Sequence, residues 1–117
     1  MTDIDDVRRL VGQDHGLAVV AVSRQAGTVG SSVVNAGVIE HPVSGEQVLA
    51  FVSGAQSRRL DRLRSGRPVT VTFRSAWNWV SVEGRAEVIG PDDPHPQVHA
   101  AAVLIQPDRI YSNPSTP

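Results

Sequence analysis

"FVSGAQSRRLDRLR" occupies Phe51–Arg64, and its two halves obey different rules. Phe51–Ser53 closes "VLAFVS" (Val48–Ser53), a short β-branched and apolar run that is a strand by composition. A glycine-containing turn follows, and then Arg58, Arg59, Arg62 and Arg64 fall within seven residues. Ser57 is an N-cap candidate, and Gly66 with Pro68 forms a stop signal, so a helix is predicted near residues 57–65. One helix thus interrupts the run of strands midway.

Working outward, Thr2 or Asp3 caps a helix near residues 3–11, with Ile4, Val7, Leu10 and Val11 at helical spacing. "LAVVAVS" (Leu17–Ser23) and "SSVVNAGVIE" (Ser31–Glu40) are strands joined by the turn "RQAGTVG". "HPVSGEQ" is a second turn, leading into Val48–Ser53. Pro68–Arg74 and Trp79–Ile89 are long alternating strands. "GPDDPHP" is a loop, Ala101–Gln106 the last strand and "PDRIYSNPSTP" a tail. Six strands with short turns and one inserted helix predict a mainly β fold, a six-stranded antiparallel barrel whose closure removes exposed edges. The length fits one domain over residues 1–117.

Composition excludes several functions. The chain has 117 residues, 40% of them hydrophobic, and a net charge of −1. Bulk charge therefore gives no support to a nucleic-acid or membrane-surface partner. No cysteine is present, so thiol nucleophiles and cysteine-held clusters are out. The first residues are acidic and lack an apolar run, and no stretch approaches the about 18 apolar residues of a membrane helix. A cytoplasmic location is expected. All eleven basic residues are arginine, which removes Schiff-base and P-loop lysine chemistry.

The arginine pair Arg58–Arg59 poses the functional question. Cations at a helix N-terminus oppose the helix dipole, an arrangement that makes sense if an anion is bound. The alternative is a solvated face with Asp61 pairing to nearby arginines. His95 and His99 are four apart, yet Pro94 and Pro96 make that segment a loop, and no metal site is expected. Asp5–Asp6 and Asp92–Asp93 suit caps and loops better than acid–base pairs. Trp77 and Trp79, the only tryptophans, are expected on one strand face, in the core, at a ligand or at an interface.

The order of these segments resembles the pyridoxamine 5′-phosphate oxidase-like split β-barrel superfamily, whose members bind FMN or the deazaflavin F420. The resemblance rests on Val52–Ser53 at a strand end, Ser57–Arg58–Arg59 at a helix start, and "VEGRAEV" (Val82–Val88) on the strand that follows. It covers nearly the whole chain. It implies that Ser57, Arg58 and Arg59 hold a cofactor phosphate. It also implies that the backbone of Ser32, Val33, Val34 and Asn35 lines the ring, that Trp79 lies nearby, and that the site sits between two barrels of a homodimer. The arginine-only composition suggests a GC-rich actinobacterial genome, where F420-using relatives abound. The resemblance therefore points to an F420-dependent oxidoreductase acting on a small organic molecule, with FMN as the alternative cofactor and binding without catalysis as the alternative role. Two departures stand out. Lysine is absent and Ala36–Gly37 stand in the second strand, so oxidation of pyridoxamine phosphate itself is not expected. The segment from Pro91 to Ala100 is also short beside the few dozen residues usual there.

Overall fold

The computed structural model describes residues 3–13, 15–24, 27–54, 58–89 and 100–113. Helix α1 (Ile4–Gln13) is followed by strands β1 (Leu17–Ser23), β2 (Val29–Glu40) and β3 (Gln47–Gly54). Helix α2 (Arg58–Arg64) then leads to β4 (Val69–Ser75), β5 (Asn78–Ile89) and β6 (Ala100–Ser112). The strands close into an antiparallel barrel in the order β1-β2-β3-β6-β5-β4, with β1 pairing β4 at the seam. The predicted barrel and both helices are thus present.

Alternation along each strand sends one set of side chains inward. Val20, Leu49, Phe51, Val71, Phe73, Val80, Val82, Val103 and Ile105 fill the interior. Helix α1 begins with a capping box: Asp5 and Asp6 donate their N–H groups to Asp3 Oδ1 at 3.0 and 3.3 Å, and Asp3 N–H donates to Asp6 Oδ2 at 2.9 Å. Asp5 and Asp6 also pair with Arg8 and Arg9 one turn on. The aspartate pair is therefore helix chemistry, as its residue type suggests. Val7 and Leu10 of α1 join the core.

Topology dictates what α2 must do. In the ring of six strands, β3 and β4 stand three places apart, on opposite sides of the barrel. The chain that links them has to cross the barrel mouth. Leu60 and Leu63 point inward from α2 and are buried at 0% and 1% exposure. The same crossing carries the neighbouring arginines over the rim.

Three expectations need correction. The "tail" after Gln106 is strand: β6 continues to Ser112 beside β5. Pro107, a stop signal by local rules, sits at a β-bulge, where Gly84 opposes Pro107 and Glu83 opposes Arg109. A bulge breaks the ladder locally, so the missing proline N–H costs no hydrogen bond. Second, β2 starts at Val29, two residues early. Third, Trp77 does not share a strand face with Trp79. It lies in the two-residue turn Ala76–Trp77, with Ala76 at φ 53°, and is 92% exposed. Asn113 clasps this turn: its amide donates to Trp77 C=O at 3.0 Å, and Trp79 N–H donates to its Oδ1 at 3.1 Å. Ser57, His95 and His99 lie outside the described residues.

Gly84 is the tightest point of the bulge. A Cβ there would stand 2.2 Å from the Gln106 carbonyl oxygen and 3.0 Å from Ile105 Cγ2. Gly84→Ala is predicted to destabilise the protein by about 1–3 kcal/mol, the usual cost of overpacking. Gly37→Ala, where a Cβ meets nothing within 4 Å, should cost less. Urea unfolding of the two variants side by side checks the order, and equal midpoints would refute it.

Candidate functional site

At the mouth crossed by α2, a cavity of about 280 Å³ is lined by Val22, Arg24, Gly30, Ser31, Ser32, Arg58, Arg59 and Arg62. Among the described residues that line it, half are arginines and none is acidic. They arrive from three directions. Arg24 follows β1, the serines lie on β2 and the other arginines come from α2.

Arg59 is the centre of the arrangement. Its guanidinium donates to the Ser32 hydroxyl and, at 3.0 Å, to the Ser53 hydroxyl. It also sits over the Phe51 ring, 5.6 Å from the centroid, within cation–π range. Ser53 is 2% exposed, so the contact lies at the inner edge of the mouth. Burial pushes the Arg59 pKa below the ordinary arginine value. A partly desolvated cation beside neutral hydroxyls favours an anion as its next neighbour.

The sequence-derived candidates divide into groups. Ser32, Ser53, Arg58 and Arg59 gather at the mouth. Val33 and Val52 face outward, 65% and 67% exposed, whereas Val34 is in the core. The side chain of Asn35 is tied into the fold. Its amide donates to the His15 carbonyl at 2.8 Å and ties β2 to the turn before β1. Trp79 is elsewhere. β5 is separated from β2 by β4 and β1, about 14 Å across the sheet at the usual strand spacing. Trp79 packs edge-on against Tyr111, with centroids 6.0 Å apart and planes at 86°.

Arg62, which the sequence marks only as part of the arginine cluster, also lines the cavity, as do Arg24, Gly30 and Ser31, which sequence reasoning does not single out as site residues. Gly30 carries a signal, since a glycine at a strand position often marks a close approach. Arg24 opens the turn between the first two strands, and only the closed barrel brings it opposite α2. Among the described residues no group of histidine, aspartate or glutamate is placed to hold a metal ion.

Comparison with known proteins places the fold. No protein-family model matches the chain, and no curated protein matches it in sequence. Solved structures do match in shape. A pyridoxamine 5′-phosphate oxidase-related, FMN-binding protein from Nostoc punctiforme superposes with TM-score 0.74 at 9% identity, covering 92% of this chain and 82% of its own. The FAD and heme binding protein from Mycobacterium smegmatis gives 0.69 at 18% identity, over 96% and 70% of the two chains. A protein of unknown function from Agrobacterium tumefaciens gives 0.65 at 15% identity. The match covers all of this chain but only 60% of that one. At these identities the likeness is one of fold.

The Trp79 neighbourhood yields a pH prediction. Tyr111 is the one tyrosine of the chain, so its titration is visible alone. Burial pushes its phenol above the ordinary value near 10, and the hydrogen bond and charge of Glu83 push it further. The folded state therefore favours the neutral phenol. That stabilisation is fully present below pH 10 and is lost as pH rises through the folded value. Tyrosinate absorbance should rise at higher pH in the folded protein than in the unfolded one. Glu83→Gln should bring the folded midpoint down, and an upward move would contradict the assignment.

Proposed function

We propose that the chain binds a phosphorylated flavin-type cofactor, with the deazaflavin F420 as the first choice and FMN as the alternative, and works as an oxidoreductase on a small organic substrate. The observation that carries this reading is Arg59, held at the barrel mouth by Ser32 and Ser53 in a cavity lined by three further arginines and, among the described residues, no acid. That donor set fits a phosphate: guanidinium forks and hydroxyls donate hydrogen bonds to its oxygens, and their charge matches its own. Helix α2 is a short one, so side chains supply the attraction here.

When bound, such a cofactor supplies hydride transfer. The chain's residues bind and orient it. Ser32 and Ser53 fix the Arg59 fork, so little side-chain freedom remains to be lost on binding. The cavity falls just short of the roughly 300–1,000 Å³ that whole ligands occupy, which suits the polar end of a cofactor. The ring would then lie along the outer face of β2, beside the exposed Val33 and Val52. The fold shared with FMN-binding and FAD-binding proteins supports this reading, as does the order Ser53, Arg58, Arg59 along the chain.

A homodimer belongs to the same proposal. Leu17 and Val19 on β1, Val33 on β2 and Val52 on β3 are exposed apolar residues at 45–67%. Val19 and Val33 are direct cross-strand partners, so they form a continuous patch. A second copy covering this patch would roof the ring position and exclude water, with Trp77 or Trp79 reaching the interface. Val19→Asp is predicted to shift the protein from dimer to monomer in sedimentation at micromolar concentration. A monomeric parent protein would refute the dimer.

Titration with F420 and FMN in parallel tests the cofactor. Arg59→Ala should raise the dissociation constant at least about tenfold, since a charge-assisted contact contributes about 1.5–3 kcal/mol. Arg64→Ala should change it little, because Arg64 is exposed and does not line the cavity. Equal effects from both would mean a diffuse basic surface, and no effect with either cofactor would remove the phosphate reading. Turnover assays on the loaded protein separate an enzyme from a binder without catalysis.

A further inference from the structure

The described residues that line the cavity hold more positive charge than one phosphate explains. A phosphate monoester carries about −1.5 to −2 at neutral pH. Four guanidiniums line the space, and among the described residues Arg24, Arg58 and Arg62 form no ion pair. Like charges gathered around one small cavity repel, and the arrangement is relieved in proportion to the anionic charge placed between them.

Arg24 shows that the excess is built in. Its guanidinium lies across Gly30: an added Cβ there would stand 3.1 Å from Nη2, 3.2 Å from Nε and 3.3 Å from Cζ. A side chain at Gly30 would push the fork aside by a few tenths of an ångström. Its hold on the neighbouring backbone is slight, a 3.4 Å contact from Nη1 to the Val29 carbonyl. Arg24 therefore stands on the β1–β2 side of the cavity and Arg59 on the α2 side.

We propose that the cavity recognises a ligand with two anionic groups a few bonds apart, one at Arg59 with Ser32 and the second at Arg24 across Gly30. This rests on the phosphate reading above and deepens it by naming the ligand class. A diphosphate has this chemistry, and so does a phosphate with a neighbouring carboxylate. A lone phosphate monoester does not.

The test uses inorganic phosphate, pyrophosphate and phosphoglycolate as probes, titrated calorimetrically at matched ionic strength. The proteins are the parent chain, Arg24→Gln, Gly30→Ala and Arg59→Gln. Gly30 has no left-handed φ, so Gly30→Ala adds no backbone strain, keeps every charge and only displaces the Arg24 fork. At least one of the two double anions should bind the parent about tenfold or more tighter than phosphate, the worth of one added charge-assisted contact. Which of the two does so identifies the second group. That advantage should vanish in Arg24→Gln and shrink in Gly30→Ala, while phosphate itself binds both as it binds the parent. Arg59→Gln should weaken all three probes. If phosphate binds through Arg59 but neither double anion binds tighter, the two-anion proposal is overturned and the phosphate reading stands. An advantage that survives both Arg24→Gln and Gly30→Ala overturns it equally. If no probe binds the parent chain, the phosphate reading falls, and this proposal with it.

Discussion

Closure of the barrel between β1 and β4 is the constraint on which the rest depends. Once Ala18–Val22 pair with Val69–Phe73, the ring order leaves β3 and β4 on opposite sides. The connection between them cannot be a tight turn. It must span the mouth, and a helix with two buried leucines does so well, because it satisfies its own backbone while plugging the end. Arg59 follows from that geometry. A residue next to Leu60 on a mouth-crossing helix comes to the rim, and the rim at that point carries Ser32 and Ser53. The charged site is thus a by-product of where a barrel of this order must put its crossover.

Much of this was legible in the sequence because it depends on local chemistry. Strand and helix positions follow from β-branching, alternation and caps, and these name the right kind of element at every step through β5. The end of β6 was not legible. Pro107 argues for a stop on local grounds, and only its partner across the sheet, Gly84 with a bulge beside it, makes the strand continue. Trp77 and Trp79 differ for a related reason. Spacing of two implies one face only inside a strand, and Ala76–Trp77 is the turn itself.

The site shows the same division. Arg58 and Arg59 announce themselves as adjacent charges at a helix start. Arg24 is a single charge at the head of a turn, and nothing local separates it from the other surface arginines. Its place in the cavity is a matter of which strand closes on which. Asn35 illustrates the same point. It reads as one more polar residue of a strand, yet its side-chain amide donates to the His15 carbonyl twenty residues back and ties β2 to the turn before β1.

The long β6 has a consequence for how molecules of this protein meet. Ala102–Ile105 is flanked by β3 and β5, whereas Arg109–Tyr111 pairs with β5 alone among the described residues. That second stretch presents an outer row of backbone donors and acceptors, the kind of border on which a foreign strand can dock and start a growing sheet. Pro107 offers no N–H where the border begins, and the bulge twists it out of line. Asp108 and Arg109 add charge at the same place. The proline that hides the strand from a reader of the sequence also shields its border from other chains.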